Sequence, residues 1–371
     1  MTIFVEKLDL GGSGPSVGIK DSIDIAGIRT RAGSRALEDI APASANADVV
    51  SGLLAAGYHI IGKTNLHELA FGTTGLNSWT GTPANPLFPA YVPGGSSSGS
   101  AAAVAARLAD VAIGTDTGGS VRIPAACCGV FGLKPTFGRV SRQGVMPAQS
   151  SLDCVGPFAR DMDALVDCMR AIDPGFGALP DPADVRIGML EVEARSEIRE
   201  AVEAVVRASS FPYARLALSE FVPAYEAGLV IINAETWAAC GSLVSSGLVG
   251  EDVAKRLLVA SKTSRADVEL AEQVRVAFTA EVDRALRDFP ILALPTMADA
   301  PPLMESAADT SKLVGMTSLV RPFNLSGHPA IAVPLPIAAA FPMSLQLIAA
   351  KGQDELLCAV ARRMADHFDQ R

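Results

Sequence analysis

Two glycine-rich stretches of this chain carry serines that could act as nucleophiles. They are Pro93-Gly94-Gly95-Ser96-Ser97-Ser98-Gly99-Ser100 and Thr117-Gly118-Gly119-Ser120. Upstream, Lys20 ends the apolar run Val17-Gly18-Ile19. A serine hydroxyl is a weak nucleophile until a base takes its proton. A lysine can be that base once burial lowers its pKa and frees its lone pair. Ser96 follows two glycines, whose backbone reaches geometries barred to other residues. Thr117-Gly118-Gly119-Ser120 offers successive N–H groups from a glycine turn at a helix start, which suits a developing oxyanion. Taken alone, Lys20 reads as a surface lysine, Ser96 as a helix cap and the second turn as structural. Together they point to a hydrolase in which a lysine and one serine activate another serine.

Several elements must hold these residues. Val17–Lys20 reads as a short buried strand, 45–56 as a helix, and 59–61 as a strand after the Gly57 break. Residues 65–71 read as helical and 77–92 as loop. Residues 99–108 form an alanine-rich helix with serines at its start. A strand at 111–113, a turn at 115–119 and a helix opening at 120–127 follow. From about 161 to 289 the pattern is mostly helical, clearest at 196–209 and 251–286, with few strand signals. Strands return at 290–295, 330–333 and 344–348, and an amphipathic helix closes the chain at 354–369. Alternating strands and helices imply an α/β fold with a buried mixed sheet, which the late strands rejoin.

Two motifs compete with this reading. Residues 57–64, GYHIIGKT, match the phosphate-loop pattern, but Tyr-His-Ile-Ile favours a strand where that loop needs glycine-rich backbone. Residues 95–99, GSSSG, match a nucleophile elbow centred on Ser97, with His328 or His367 as nominal bases. The residues before it, Tyr91-Val92-Pro93, follow a proline-rich loop and make a poor strand, so neither motif is adopted. No metal-ligand spacing appears, and neither metal nor cofactor is expected.

The chain has 371 residues, 49% of them hydrophobic, with mean hydropathy +0.30, enough for a large core. Its 31 basic and 40 acidic residues leave a net charge of −9, which argues against nucleic acid as a partner. Six cysteines without a C-x-x-C read as reduced core residues of a cytoplasmic protein. No apolar run is read as reaching the roughly 18 residues needed to span a membrane, and the first residues do not read as a signal peptide.

Residues 92–139 resemble the signature region of the amidase signature family. The flanking segments 17–27 (VGIKDSIDIAG), 151–160 (SLDCVGPFAR), 291–296 (ILALPT), 323–334 (FNLSGHPAIAVP) and 342–348 (PMSLQLI) resemble its other landmarks. The resemblance covers most of the chain and is weakest at about 170–285. It implies an amidase signature fold: a mixed β-sheet flanked by helices on both faces, as one domain over 1–371. The core would be 1–165 and 287–371, with a helical cap or layer at about 166–286. It also implies a Ser-cisSer-Lys triad. Ser120 would be the nucleophile, Ser96 the bridging serine after a cis Gly95–Ser96 bond, and Lys20 the base. The oxyanion hole would be the N–H groups of Thr117, Gly118, Gly119 and Ser120, with Ala70 a substrate contact. We further expect Arg122 and Asp153 to pair in support of the turn.

The implied activity is hydrolysis of a small primary carboxamide (aryl, indolyl or aliphatic) to acid and ammonia through an acyl-enzyme. Within the family the pattern is most similar to indole-3-acetamide hydrolases and related short amidases. The alternative is a glutamyl-tRNA amidotransferase A-like protein, a transamidation component that delivers ammonia to a partner. Against that alternative stand the 19 residues before Lys20, which leave no room for the family's N-terminal helices. The partners expected are a small-molecule amide, no nucleic acid and no membrane, in a monomer or homodimer.

Overall fold

The computed structural model describes residues 2–308, 313–335 and 340–369, without the side chains of 314 and 367–369. The strands are β1 (Phe4–Gly11), β2 (Ser16–Lys20), β3 (His59–Thr64), β4 (Val111–Asp116), β5 (Phe131–Lys134), β6 (Cys154–Ala159), β7 (Ile187–Leu190), β8 (Tyr213–Leu216), β9 (Ile291–Pro295), β10 (Ala330–Pro334) and β11 (Ser344–Ala349). They form one eleven-stranded sheet in the order β1-β3-β2-β4-β6-β5-β10-β11-β9-β7-β8. Two parallel groups, β3-β2-β4 and β9-β7-β8, are joined through antiparallel β6, β5, β10 and β11. The sheet is mixed, as expected.

The helices are α1 (Asp48–Ala55), α2 (Ser98–Ala105), α3 (Arg122–Cys128), α4 (Met162–Ile172), α5 (Ser196–Ala208), α6 (Phe221–Cys240), α7 (Glu251–Ala260), α8 (Arg265–Asp288), α9 (Leu313–Thr317), α10 (Arg321–Leu325) and α11 (Asp354–Asp369). They cover both faces of the sheet. In β9, Ile291 and Ala293 face the core beneath α1, α4, α5 and α11, whereas Leu292 and Leu294 face that beneath α6, α8 and α10. This is the period-2 alternation of a strand buried on both sides. On the second face Phe221, Phe278 and Phe323 meet at ring-centroid distances of 5.9–6.1 Å. Burying Phe278 completely contributes roughly 1.5–3 kcal/mol.

Four readings from the sequence are corrected. Residues 65–71 are not a helix. Only a 3₁₀ turn, Glu68–Ala70, forms, because Leu69 and Ala70 adopt left-handed φ of 53° and 55° and turn the chain back. The stretch 251–286 is two helices. A capping box of Ser264 and Asp267 starts α8 afresh. Strands β1, β5, β6, β7 and β8 lie where no strand was read. Finally, α6 and the 3₁₀ turn after it run 26 residues to Ser246 and are long and apolar enough, by length and composition alone, to cross a membrane. A third of its most apolar window is buried inside the protein, and Ala224, Ala227 and Ile231 belong to the second core. All six cysteines are buried and free.

Candidate active site

Lys20 and Thr115 sit at the C-terminal ends of the parallel neighbours β2 and β4, whose register pairs Ile19 with Ile113. Both side chains are buried, at 0% and 2% exposure. Lys20 Nζ donates to Ser96 Oγ at 2.7 Å and to Thr115 Oγ1 at 2.8 Å. Among the described residues no carboxylate bonds it. Burial pulls Lys20 down from 10.5 to about 7, against the opposing pull of Asp153 and Asp116.

Ser96 follows a cis Gly95–Ser96 peptide and lies just before α2. Gly94 takes φ 73°, and a Cβ there would lie 2.8 Å from Pro124 Cα, so only glycine fits. The Ser96 turn and the Ser120 turn are tied directly, Ser97 N–H donating to Ser120 O at 3.3 Å. The Ser97 hydroxyl is spent on the Thr115 backbone.

The turn Thr117–Ser120 leaves β4 and enters α3. Gly119 has φ 111°, and a Cβ there would come within 2.4 Å of Val320 Cγ2. Asp116 holds the turn from below. Its carboxylate accepts from the N–H groups of Gly119, Val121 and Arg122, and from Asn324 Nδ2. Arg122 Nε and Nη2 donate to it at 3.0 and 2.9 Å. The remaining Arg122 donors reach Val320 O, Gln346 Oε1 and Asn324 Oδ1. Burial raises the Asp116 carboxyl, but the Arg122 charge and the hydrogen bonds of Arg122 and Asn324 outweigh it and hold it well below the usual carboxylate range.

The expected pairing of Arg122 with Asp153 is therefore wrong. Asp116 captures Arg122 because it is buried directly beneath the same turn. Asp153 instead accepts from Thr117 Oγ1 at 2.8 Å and from Arg142 Nε at 3.0 Å, and burial pushes its carboxyl up. Sequence reasoning missed Thr115, Asp116 and Asn324. The first two stand in the Gly114-Thr115-Asp116-Thr117 run, where strand alternation aims Thr115 and Asp116 to opposite faces.

Ala70 lies in the left-handed turn whose His67 N–H donates to Ser96 O at 2.9 Å, so this loop is anchored to the Ser96 turn. The other nominated motifs are occupied. His328 bonds Ser326 and Asp283, each at 2.9 Å, and burial lowers it to about 4. The His367 side chain lies outside the described residues. Lys63 of the phosphate-loop pattern lies on β3, its ammonium paired with Asp21 at 3.1 Å. Among the described residues no cluster of three His, Cys, Asp or Glu could hold a metal ion.

A cavity of about 790 Å³ lies elsewhere. It lies beyond the C-terminal ends of β7 and β9, with Tyr225 of α6 in its wall and Ser120 outside it.

A family model described as Amidase matches residues 13–210 and 200–358. The A-type component of glutamyl-tRNA(Gln) amidotransferase from Synechococcus sp. (strain RCC307) is 34% identical over 411 residues, covering 96% of this chain and 83% of that protein. Amidase 1 of Oryza sativa subsp. japonica is 33% identical over 398 residues, covering 95% and 90%. A crystal structure of an amidase superposes with TM-score 0.86 at 29% identity, covering 95% of this chain and 84% of that one.

Proposed function

The chain belongs to the amidase family, and from that premise we propose that Ser120 is its nucleophile, Ser96 its proton relay and Lys20 its base. As the family and its amidases indicate, it is a hydrolase acting on amide C–N bonds. The observation that carries the residue roles is Lys20: buried, brought near neutrality, and 2.7 Å from the hydroxyl of Ser96. A protonated lysine would have no lone pair to offer.

In the proposed reaction Ser120 Oγ attacks the amide carbon while its proton passes to Ser96 Oγ and that of Ser96 to Lys20 Nζ. Backbone N–H groups of Thr117–Ser120 hold the oxyanion. The C–N bond breaks as the relay returns a proton to nitrogen, and ammonia leaves. Water then cleaves the acyl-Ser120 ester. Ala70, on the loop anchored to Ser96, would contact the acyl group.

Two settings share this chemistry and differ in where the ammonia goes. A free-standing amidase on small primary carboxamides is supported by the rice relative. A transamidation component, delivering ammonia to a partner protein, is supported by the relatives named for glutamyl-tRNA(Gln) amidotransferase and has the stronger backing of the two. None of these names favours an indolyl acyl group. Purified alone, the chain should release ammonia from simple amides in the first setting and need a co-purifying partner protein for full turnover in the second. For the shared chemistry, a fluorophosphonate probe should label the peptide carrying Ser120, and Ser120→Ala should abolish both labelling and turnover. Labelling on Ser97, or activity surviving in Ser120→Ala, overturns the assignment.

A further inference from the structure

Arg321 opens α10 and is buried, with 8% exposure. A guanidinium offers five N–H donors and is always charged. Two of these donors meet neutral acceptors, Tyr225 O at 3.4 Å and Thr317 Oγ1 at 3.2 Å. Among the described residues Nε has no hydrogen-bond partner. Among the described residues Arg321 makes no ion pair, and burial lowers its pKa with only Tyr225 acting against it. By contrast Arg122, one helix away, is fully neutralised by Asp116.

Buried charges are expensive unless paired, yet this site is built to keep one. The Tyr225 ring lies under the guanidinium at 4.3 Å. Position 228 of α6 is glycine, and a Cβ there would come within 2.9 Å of Arg321 Cγ, so the side chain fills space that any other residue would take. The unpaired Nε lies 3.9 Å from where a Gly118 side chain would begin. Ser120 is two residues further on, at most about 7 Å along the backbone. Gly118 is partly exposed, as is Ile232, whose Cδ1 lies 2.9 Å from where that same side chain would begin.

We infer that Arg321 is the anchor for a carboxylate on the substrate's acyl group, so that the amide cleaved at Ser120 is the monoamide of a short dicarboxylic acid. A carboxylate separated from the amide carbon by a few methylenes would take the free N–H groups of Arg321 while its carbonyl carbon lies at Ser120. This rests on the nucleophile assignment above and adds the acyl class. Hydrogen bonds to a charged group are the stronger kind, so the preference over an uncharged amide of equal length should be on the order of 10–100-fold in kcat/KM.

The test compares succinamate and glutaramate with butyramide and valeramide by ammonia release, on wild type, Arg321→Lys and Arg321→Met. Wild type should prefer the carboxylated amides, chiefly through KM. Arg321→Met should lose the preference, and Arg321→Lys should keep part of it. Gly228→Ala, which displaces the arginine, should also weaken it. Calorimetric titration of succinamate into Ser120→Ala, with and without Arg321→Met, reads binding without turnover and should show the same loss. If wild type hydrolyses the neutral amides equally well, or if the preference survives in Arg321→Met, the carboxylate anchor is refuted while the hydrolase stands. If no amide is hydrolysed and Ser120 takes no fluorophosphonate label, it is the nucleophile assignment that fails. Should Arg321→Met not fold, inhibition of wild type by glutarate but not by butyrate still supports the inference, and equal inhibition by both refutes it.

Discussion

Replacing Lys20 with methionine separates its charge from its volume. The buried ammonium is drawn from 10.5 to about 7, a difference of 3.5 units, or about 5 kcal/mol at 1.36 kcal/mol per unit. Below about pH 7 the lysine is protonated in both the folded and the unfolded chain, and the folded state bears the whole desolvation cost. Between about 7 and 10.5 the folded protein holds Lys20 neutral while the unfolded chain holds it charged. Unfolding then takes up a proton, so wild-type stability rises with pH across this window, by about 5 kcal/mol in all. Lys20→Met lacks this term. Urea midpoints measured from about pH 7 to 10 should therefore rise for wild type relative to Lys20→Met. The same titration should appear in catalysis. Acylation by an activated ester should fall about tenfold per pH unit below about 7 in wild type and be flat, and lower by roughly 10²–10⁴-fold, in Lys20→Met. Parallel stability curves would show that folded Lys20 is charged. An acid limb that persists in Lys20→Met would assign the base elsewhere.

Other outcomes follow from the same geometry. Asp153 opposes the lowering of Lys20, so Asp153→Asn, which can still accept from Thr117, should move the acid limb of the pH–rate profile to lower pH. An unmoved limb would mean that Asp153 exerts no field at the base. Arg122→Met leaves Asp116 buried without its counter-ion and should cost about 3–5 kcal/mol, read as a fall in Tm. A change of under about 1 kcal/mol would contradict the clamp.

Much of the site could be read from the chain because glycine marks it. Gly94 and Gly119 take left-handed φ that other residues rarely adopt, and the apolar run before Lys20 signals its burial. What was illegible depends on partners distant in sequence. Strand β7 is four residues long, Ile187-Gly188-Met189-Leu190, and gains its identity from β8, some 25 residues later, and from β9, a hundred residues later. Arg122 could have met either of two aspartates, and only the fold decides for Asp116. The apolar residues of α6 are spaced among small and polar ones, so no unbroken hydrophobic run announces its length.

The grip of Arg122 also has a meaning in time. Its partners Val320, Asn324 and Gln346 lie 198, 202 and 224 residues further along the chain. On the ribosome, Lys20, Ser96 and Ser120 emerge first. At about 5–20 residues per second, the last of these clamps follows Ser120 by roughly 11–45 s. During that interval the nascent chain carries every residue of the proposed relay but not the scaffold that aims it. A chain that stops short of Gln346 therefore carries the serines and the lysine of the proposed relay without the full clamp on the turn that presents Ser120.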